Sequence, residues 1–322
     1  MGGGTGTGAA TTGGRTGSGG TASTGGTSSQ GGRSGTGGRP GSGGSSGSGG
    51  DGGAGGTSNQ DGGAGGSSGR PDGGTDTSGR ADGGSEVGSD AGLDDYRPCP
   101  ASGNPCKILP LGDSITWGVG DEGNAGYRGP LFALSVSAQQ KITFSGSLSN
   151  GPSTIAGQPF PQKNEGHSGW NISTVNQYSD GHAGIATVIP SPAFDNASGG
   201  VPNIILLHIG TNDTGSSTGA EMASRLDALI DKITTAAPDA LLVVAKIIPL
   251  SWATTAINDY NKAIPGIVTK HASAGKHVEI VDMNTGFTSS TMMSSDNIHP
   301  NSAGYKFMSD RWYSVIGPLL PE

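Results

Sequence analysis

The chain has 322 residues, of which 63 are glycine; 31% are hydrophobic, 5% aromatic, and the formal net charge is −8. A net acidic chain with no basic cluster excludes nucleic-acid binding, which needs a positive patch. No apolar run reaches the ~18 residues of a membrane-spanning helix, so no such segment is predicted.

Those averages mix two regions, because 39 of the glycines fall in the first hundred residues. Residues 1–96 are mostly Gly, Ser, Thr and Asp with scattered Arg. They lack the apolar area that would offset the entropy of ordering, so this stretch is expected to be a disordered, flexible linker. It carries a faint period of ten: D-G-G-A-G-G occurs at 51–56 and 61–66, and G-R-P-D-G-G-T-D at 69–76 is echoed at 79–86. These repeats contain nothing apolar to stack, which argues for a low-complexity linker and against a solenoid. No secretory apolar stretch follows Met1. A long spacer ahead of one domain nonetheless suits an extracellular or cell-surface protein, and that is the expected location.

Residues 97–322 have ordinary apolar content and are enough for one domain with a full core. Cys99 and Cys106 flank P-A-S-G-N-P. A disulfide there would pin the start of the domain and fit an oxidising compartment; two free thiols are the alternative. K-I-L-P-L (107–111) reads as a strand, residues 127–138 as a helix and 141–146 as a second strand. N-I-I-L-L-H-I-G (203–210) is a continuous apolar run, typical of a parallel strand buried on both faces. T-G-A-E (218–221) is a capping box. The helix it opens places Met222, Leu226, Leu229, Ile230 and Ile233 on one face. Residues 241–249 read as another buried strand, 254–274 as a helix and 278–282 as a short strand. Tyr305, Met308, Trp312, Val315 and Ile316 line one face of a last helix. Strands alternating with helices imply a parallel sheet wrapped by helices, with ligands beyond the C-terminal ends of the strands.

Two chemistry-bearing loops fall at such ends. In L-G-D-S-I-T-W-G (111–118), Ser114 follows the first strand, where it can cap a turn or act as a nucleophile. In G-T-N-D (210–213), Asn212 follows the apolar strand, as an oxyanion donor or a turn residue. S-S-D-N-I-H-P-N (294–301) brings Asp296 and His299 three residues apart, so an imidazole base and a carboxylate to orient it can come from one loop. The same pair also fits a turn capped by Asp. Gly169, in E-G-H-S-G-W-N-I-S (165–173), would let backbone approach a developing oxyanion, or it is an ordinary turn glycine. His167 nearby reads as hydrogen-bonded rather than as a ligand. G-V-G-D-E-G (118–123) matches a dinucleotide motif, but Asp121 and Glu122 would face a pyrophosphate, so that reading fails. A metallophosphoesterase would need clustered His and Asp ligands, and His208 in its apolar strand reads instead as a satisfied core histidine.

Taken together, G-D-S-I-T-W-G, E-G-H-S-G-W, I-G-T-N-D and D-N-I-H-P, in this order and spacing, resemble the SGNH (GDSL-type) hydrolases. G-Y-R-G-P-L (126–131), F-S-G-S (144–147) and N-E-G-H-S-G-W (164–170) are similar to carbohydrate esterase family three, the acetylxylan esterase branch. The resemblance spans about Lys107 to Leu320. It implies an α/β fold, a three-layer α/β/α sandwich with a central parallel five-stranded, flavodoxin-like sheet. It implies Ser114 as nucleophile, His299 as base and Asp296 as its orienting group. The Ser114 amide, the Gly169 amide and the Asn212 side chain would form the oxyanion hole, with Asp113 and Asp213 as supports. It also implies that no metal or organic cofactor is needed. Trp117 and Trp170 flank two of these blocks, as sugar platforms or as packing residues. The expected substrate is an acetylated polysaccharide or a small ester, acted on by a monomer. A general carboxylesterase or lipase of the same superfamily is the rival within enzymes, and a non-catalytic surface carbohydrate-binding protein the rival outside them.

Overall fold

The computed structural model describes residues 1–4, 96–101, 103–173 and 184–322. The disordered-linker reading of 1–96 therefore falls almost wholly outside the described residues. In chain order the elements are β1 (Cys106–Gly112), α1 (Ser114–Trp117), α2 (Arg128–Ser137), β2 (Ile142–Phe144), β3 (Leu148–Ser149), β4 (Thr154–Ile155), β5 (Gln158–Pro159) and β6 (Lys163–Gly166). They continue with β7 (Ile204–His208), α3 (Gly219–Ala236), β8 (Leu241–Lys246), α4 (Thr254–Ser273), β9 (Val278–Asp282), α5 (Ser289–Met292) and α6 (Ser302–Ile316).

The five strands legible in the sequence pair in parallel, in the order β2-β1-β7-β8-β9. Two short strands extend the β2 edge. β6 pairs in parallel with Leu111 and Gly112 of β1, beyond the point where β2 has stopped, and β3 lies antiparallel to β6. Lys-Asn-Glu-Gly and Leu-Ser are too short and too polar to give an alternating signal, so neither was predictable. Successive crossovers leave β1 on opposite sides, which puts the switch point of the sheet between β1 and β7.

Side-chain alternation along the strands builds two cores. Leu109, Leu111, Ile205, Leu207, Leu242 and Val244 face Leu226, Ile230 and Ile233 of α3 and Ile257 and Ile264 of α4. Ile108, Ile204, Leu206 and Val243 face Leu131 of α2 and Tyr305, Met308, Trp312 and Ile316 of α6. This is the expected three-layer sandwich. The capping box at the start of α3 is present in both directions: Glu221 N–H donates to Thr218, and the Thr218 N–H donates to the Glu221 carboxylate. Cys99 and Cys106 are joined in a disulfide that ties the segment just ahead of the sheet to the first residue of β1. Among the described residues no helix is long and apolar enough to cross a membrane.

Candidate active site

β1 delivers the chain to the C-terminal end of the sheet and α1 begins at once. Asp113 is the N-cap: its Oδ1 accepts the Ile115 N–H at 2.9 Å. The capping role open to Ser114 in the sequence thus falls to its neighbour. Ser114 becomes the first helical residue, 7% exposed, with its hydroxyl left over. The carbonyl end of α1 is gathered by Arg128, which the sequence reading passed over. Its buried guanidinium donates to the carbonyls of Thr116 (3.2 Å), Trp117 (3.1 Å), Asn124 (3.0 Å), Asn150 (3.3 Å) and Gln162 (3.2 Å), and to the Asn150 side-chain oxygen (2.8 Å). Burial lowers its pKa to about 10, so it remains a cation at neutral pH. An arginine inside an otherwise apolar helix start, Y-R-G-P-L-F, was the available signal.

The loop before α6 supplies the base. His299 Nδ1 lies 2.6 Å from Asp296 Oδ2, and His299 Nε2 lies 2.8 Å from Ser114 Oγ. Asp296 also caps its own turn: Oδ1 accepts the Ile298 and His299 N–H groups, each at 2.9 Å, and the Ser294 hydroxyl at 3.1 Å. The two readings of Asp296 are therefore not rivals, since one oxygen shapes the turn and the other meets the imidazole. Partial burial acts to raise the Asp296 pKa, but the His299 ring and the two backbone donors together hold it well below the usual carboxylate range. Asn301 fixes the far end of the loop. It accepts from Ala303 and Gly304 as N-cap of α6 and donates to the carbonyls of Thr291 and Met293. Gly120, at φ +93°, lets this loop close over α1. A Cβ there would lie 2.5 Å from the Pro300 carbonyl oxygen and 3.1 Å from His299 Cβ.

The Gly169 block is sewn to both neighbouring loops. The His167 N–H donates to the Gly112 carbonyl at 2.9 Å, and the Trp170 N–H closes a turn onto His167 O at 3.1 Å. Gly169 takes the third place of that turn with φ +80°, where a side chain is disfavoured. Asn212 Nδ2 donates to Trp170 O at 2.8 Å, which leaves its second hydrogen free to donate. Asp213 is buried, accepts the Ile172 N–H at 3.0 Å and pairs with Arg225 Nη1 at 2.5 Å. Burial pushes Asp113 and Asp213 each up to about 6, against the bonds and cations beside them. Trp117 and Trp170 are half-buried; Trp170 packs against the α3/α4-side core and stacks on the His167 ring. His167 Nε2 in turn meets Glu165 Oε2 at 2.7 Å. His208 is fully buried, as expected of a core histidine, but neither ring nitrogen has a partner among the described residues. Burial lowers its pKa to about 4, which keeps it neutral.

A carboxylate accepts from an imidazole N–H, so Asp296 selects the tautomer with hydrogen on Nδ1. That leaves Nε2 as an acceptor facing the Ser114 hydroxyl, the arrangement needed to take a proton from a nucleophile. The site lies at the C-terminal end of β1 beside the switch point, the position the fold provides for ligands. Residues 111–307 match the GDSL-like Lipase/Acylhydrolase family. The chain belongs to that family. It is 31% identical over 238 residues to a multidomain esterase of Ruminococcus flavefaciens, covering 66% of this chain but 29% of that much longer protein. A family 3 carbohydrate esterase from Clostridium thermocellum superimposes with a TM-score of 0.56 at 36% identity, over 67% of this chain and 98% of that one. An acetyl esterase mutant solved with an acetate ion superimposes with a TM-score of 0.53 at 26% identity, over 66% of this chain and 98% of that one. The domain is accordingly an SGNH-type esterase domain.

Proposed function

We propose that the protein removes acetyl groups from a plant polysaccharide such as xylan, outside the cell, through an acyl-serine intermediate. The observation that carries the chemistry is the unbroken chain Asp296–His299–Ser114 at 2.6 and 2.8 Å. Ser114 Oγ attacks the ester carbonyl carbon while His299 Nε2 takes its proton. The carbonyl oxygen becomes an oxyanion, stabilised by the amides of Ser114 and Gly169 and by Asn212 Nδ2. Collapse breaks the bond to the sugar oxygen, which leaves with the proton from His299. Water then adds to the acetyl-serine with its proton taken by the same nitrogen. Acetate departs and Ser114 recovers its hydrogen. No step calls on a metal or organic cofactor.

The polysaccharide assignment is supported by the names of the relatives, a carbohydrate esterase and an acetyl esterase. The half-buried faces of Trp117 and Trp170 suit a sugar ring at the mouth of the site. On this reading the Gly/Ser-rich residues 1–96 act as a tether that gives the esterase domain reach over an insoluble substrate. The test is acetate release from acetylated xylan, run beside hydrolysis of an aryl acetate. Release from xylan supports the assignment. Turnover of the aryl ester alone would retain the esterase chemistry and remove the polysaccharide.

A further inference from the structure

The turn that carries Gly169 is braced by a second carboxylate–imidazole pair for which the acyl-transfer steps have no use. Glu165 is the third residue of the four-residue strand β6, with its side chain fully buried. One of its oxygens accepts the Ser147 N–H, and the other accepts from His167 Nε2 at 2.7 Å. The His167 ring lies nearly parallel to the Trp170 indole, with centroids 4.2 Å apart and planes 28° apart. Trp170 O then receives Asn212 Nδ2. The His167 N–H is held by Gly112 O, two residues before Ser114. A continuous set of contacts thus runs from Glu165 through His167 and Trp170 to two of the three candidate oxyanion donors.

Burial alone does not account for the pair. Apolar side chains could fill the same volume with little or no loss of stability, since buried ionic groups seldom outperform hydrophobic ones. What an apolar side chain could not do is fix the plane of a ring. We infer that Glu165 and His167 are positioning residues for oxyanion stabilisation: the carboxylate sets the imidazole plane, the imidazole sets Trp170 by stacking, and the Gly169 amide and the Asn212 amide are thereby held on target. The inference rests on the serine-esterase reading. It makes a particular demand, because oxyanion donors act on charge that exists only in the transition state. Loosening the turn should therefore lower kcat and leave KM in place, and that split is what a merely structural role would not produce in a folded variant.

The experiment is steady-state hydrolysis of an aryl acetate by the full chain and by His167→Ala, His167→Gln and Glu165→Gln, with folding checked by thermal melting. His167→Ala should lose about 30- to 100-fold in kcat, the scale of a misplacement near 1 Å, with KM within about twofold. His167→Gln puts an amide N–H near the former Nε2 position and should recover about tenfold of that loss. Glu165→Gln should fall between the two. A folded His167→Ala with kcat within about twofold of the unaltered chain, or with its whole loss in KM, would overturn the inference while leaving the esterase reading intact. Should His167→Ala not fold, unchanged kcat in both glutamine variants would overturn it equally. Inactivity of the unaltered chain on every ester would remove the serine-esterase reading and this inference together.

Discussion

Asp113 and Asp296 both stand beside the Ser114–His299 pair, and their surroundings push them in opposite directions. Asp113 is fully buried and its Oδ1 accepts the Ile115 N–H, while its Oδ2 meets no donor in bonding geometry among the described residues; burial takes it up to about 6. Asp296 has a side chain 42% exposed, yet four donors converge on it and hold it well below the usual range. Surroundings thus separate a carboxylate that caps a helix start from one whose charge is favoured by the donors around it.

The largest effect that would sharpen this contrast is on turnover. Asp296→Asn replaces an acceptor with a group that can favour the wrong tautomer, and kcat on an aryl acetate should fall by on the order of 10³–10⁴. Asp113→Asn keeps an oxygen for the Ile115 N–H and should cost far less, about tenfold or under. Comparable losses in the two variants would break the distinction. Next in size is Asn212→Ala, expected to lower kcat by on the order of 10²–10³ through loss of one oxyanion donor. An Asn212→Ala enzyme of normal kcat would take that side chain out of the oxyanion hole.

Smaller, and opposite in sign, are the effects on stability against pH. The native Asp113 pKa lies above the unfolded one, so the native state holds more protons between about 3.8 and 6 and stability is lost as pH rises through that window. Asp113→Asn removes that penalty, so its melting temperature relative to the parent should climb from pH 4 to pH 7. Asp296 is the reverse case. Its contribution is present above the unfolded pKa near 3.8 and is lost only as pH falls through the lower native value. Asp296→Asn should therefore compare worst with the parent above pH 4. Melting curves at pH 3.5, 5 and 7 would expose two variants that shift in the same direction. The smallest change concerns His208, whose native pKa near 4 makes the fold lose stability as pH falls from about 6.5 to 4. His208→Met removes two unpartnered nitrogens and should raise the melting temperature more at pH 5 than at pH 8.

Much of this was legible in the sequence because strong signals sit where the fold needs them. The continuous run around Ile204–His208, the capping box at Thr218 and the face of Met222, Leu226 and Ile230 each specify one element unambiguously. The contact of Ser114, His299 and Asp296 could be anticipated because Ser114 opens the helix after β1 and the other two share the short loop before α6. What was missed depends on contacts between segments far apart in the chain. Arg128 matters through carbonyls up to 34 residues away, and Glu165 through a four-residue strand of three polar residues and a glycine. Gly120 was dismissed with a false dinucleotide motif, although its bare Cα is what allows the His299 loop to approach. His208 looked satisfied because an apolar strand conceals whether a ring nitrogen finds a partner.

The central claim is that Ser114 carries the acyl group. It is tested most directly by treating the full chain with an aryl fluorophosphonate, digesting it and locating the adduct by mass. The account predicts one adduct, on the peptide containing Ser114, absent in Ser114→Ala and accompanied by complete loss of aryl acetate hydrolysis. An adduct on another residue, or ester hydrolysis that survives in Ser114→Ala, would contradict it.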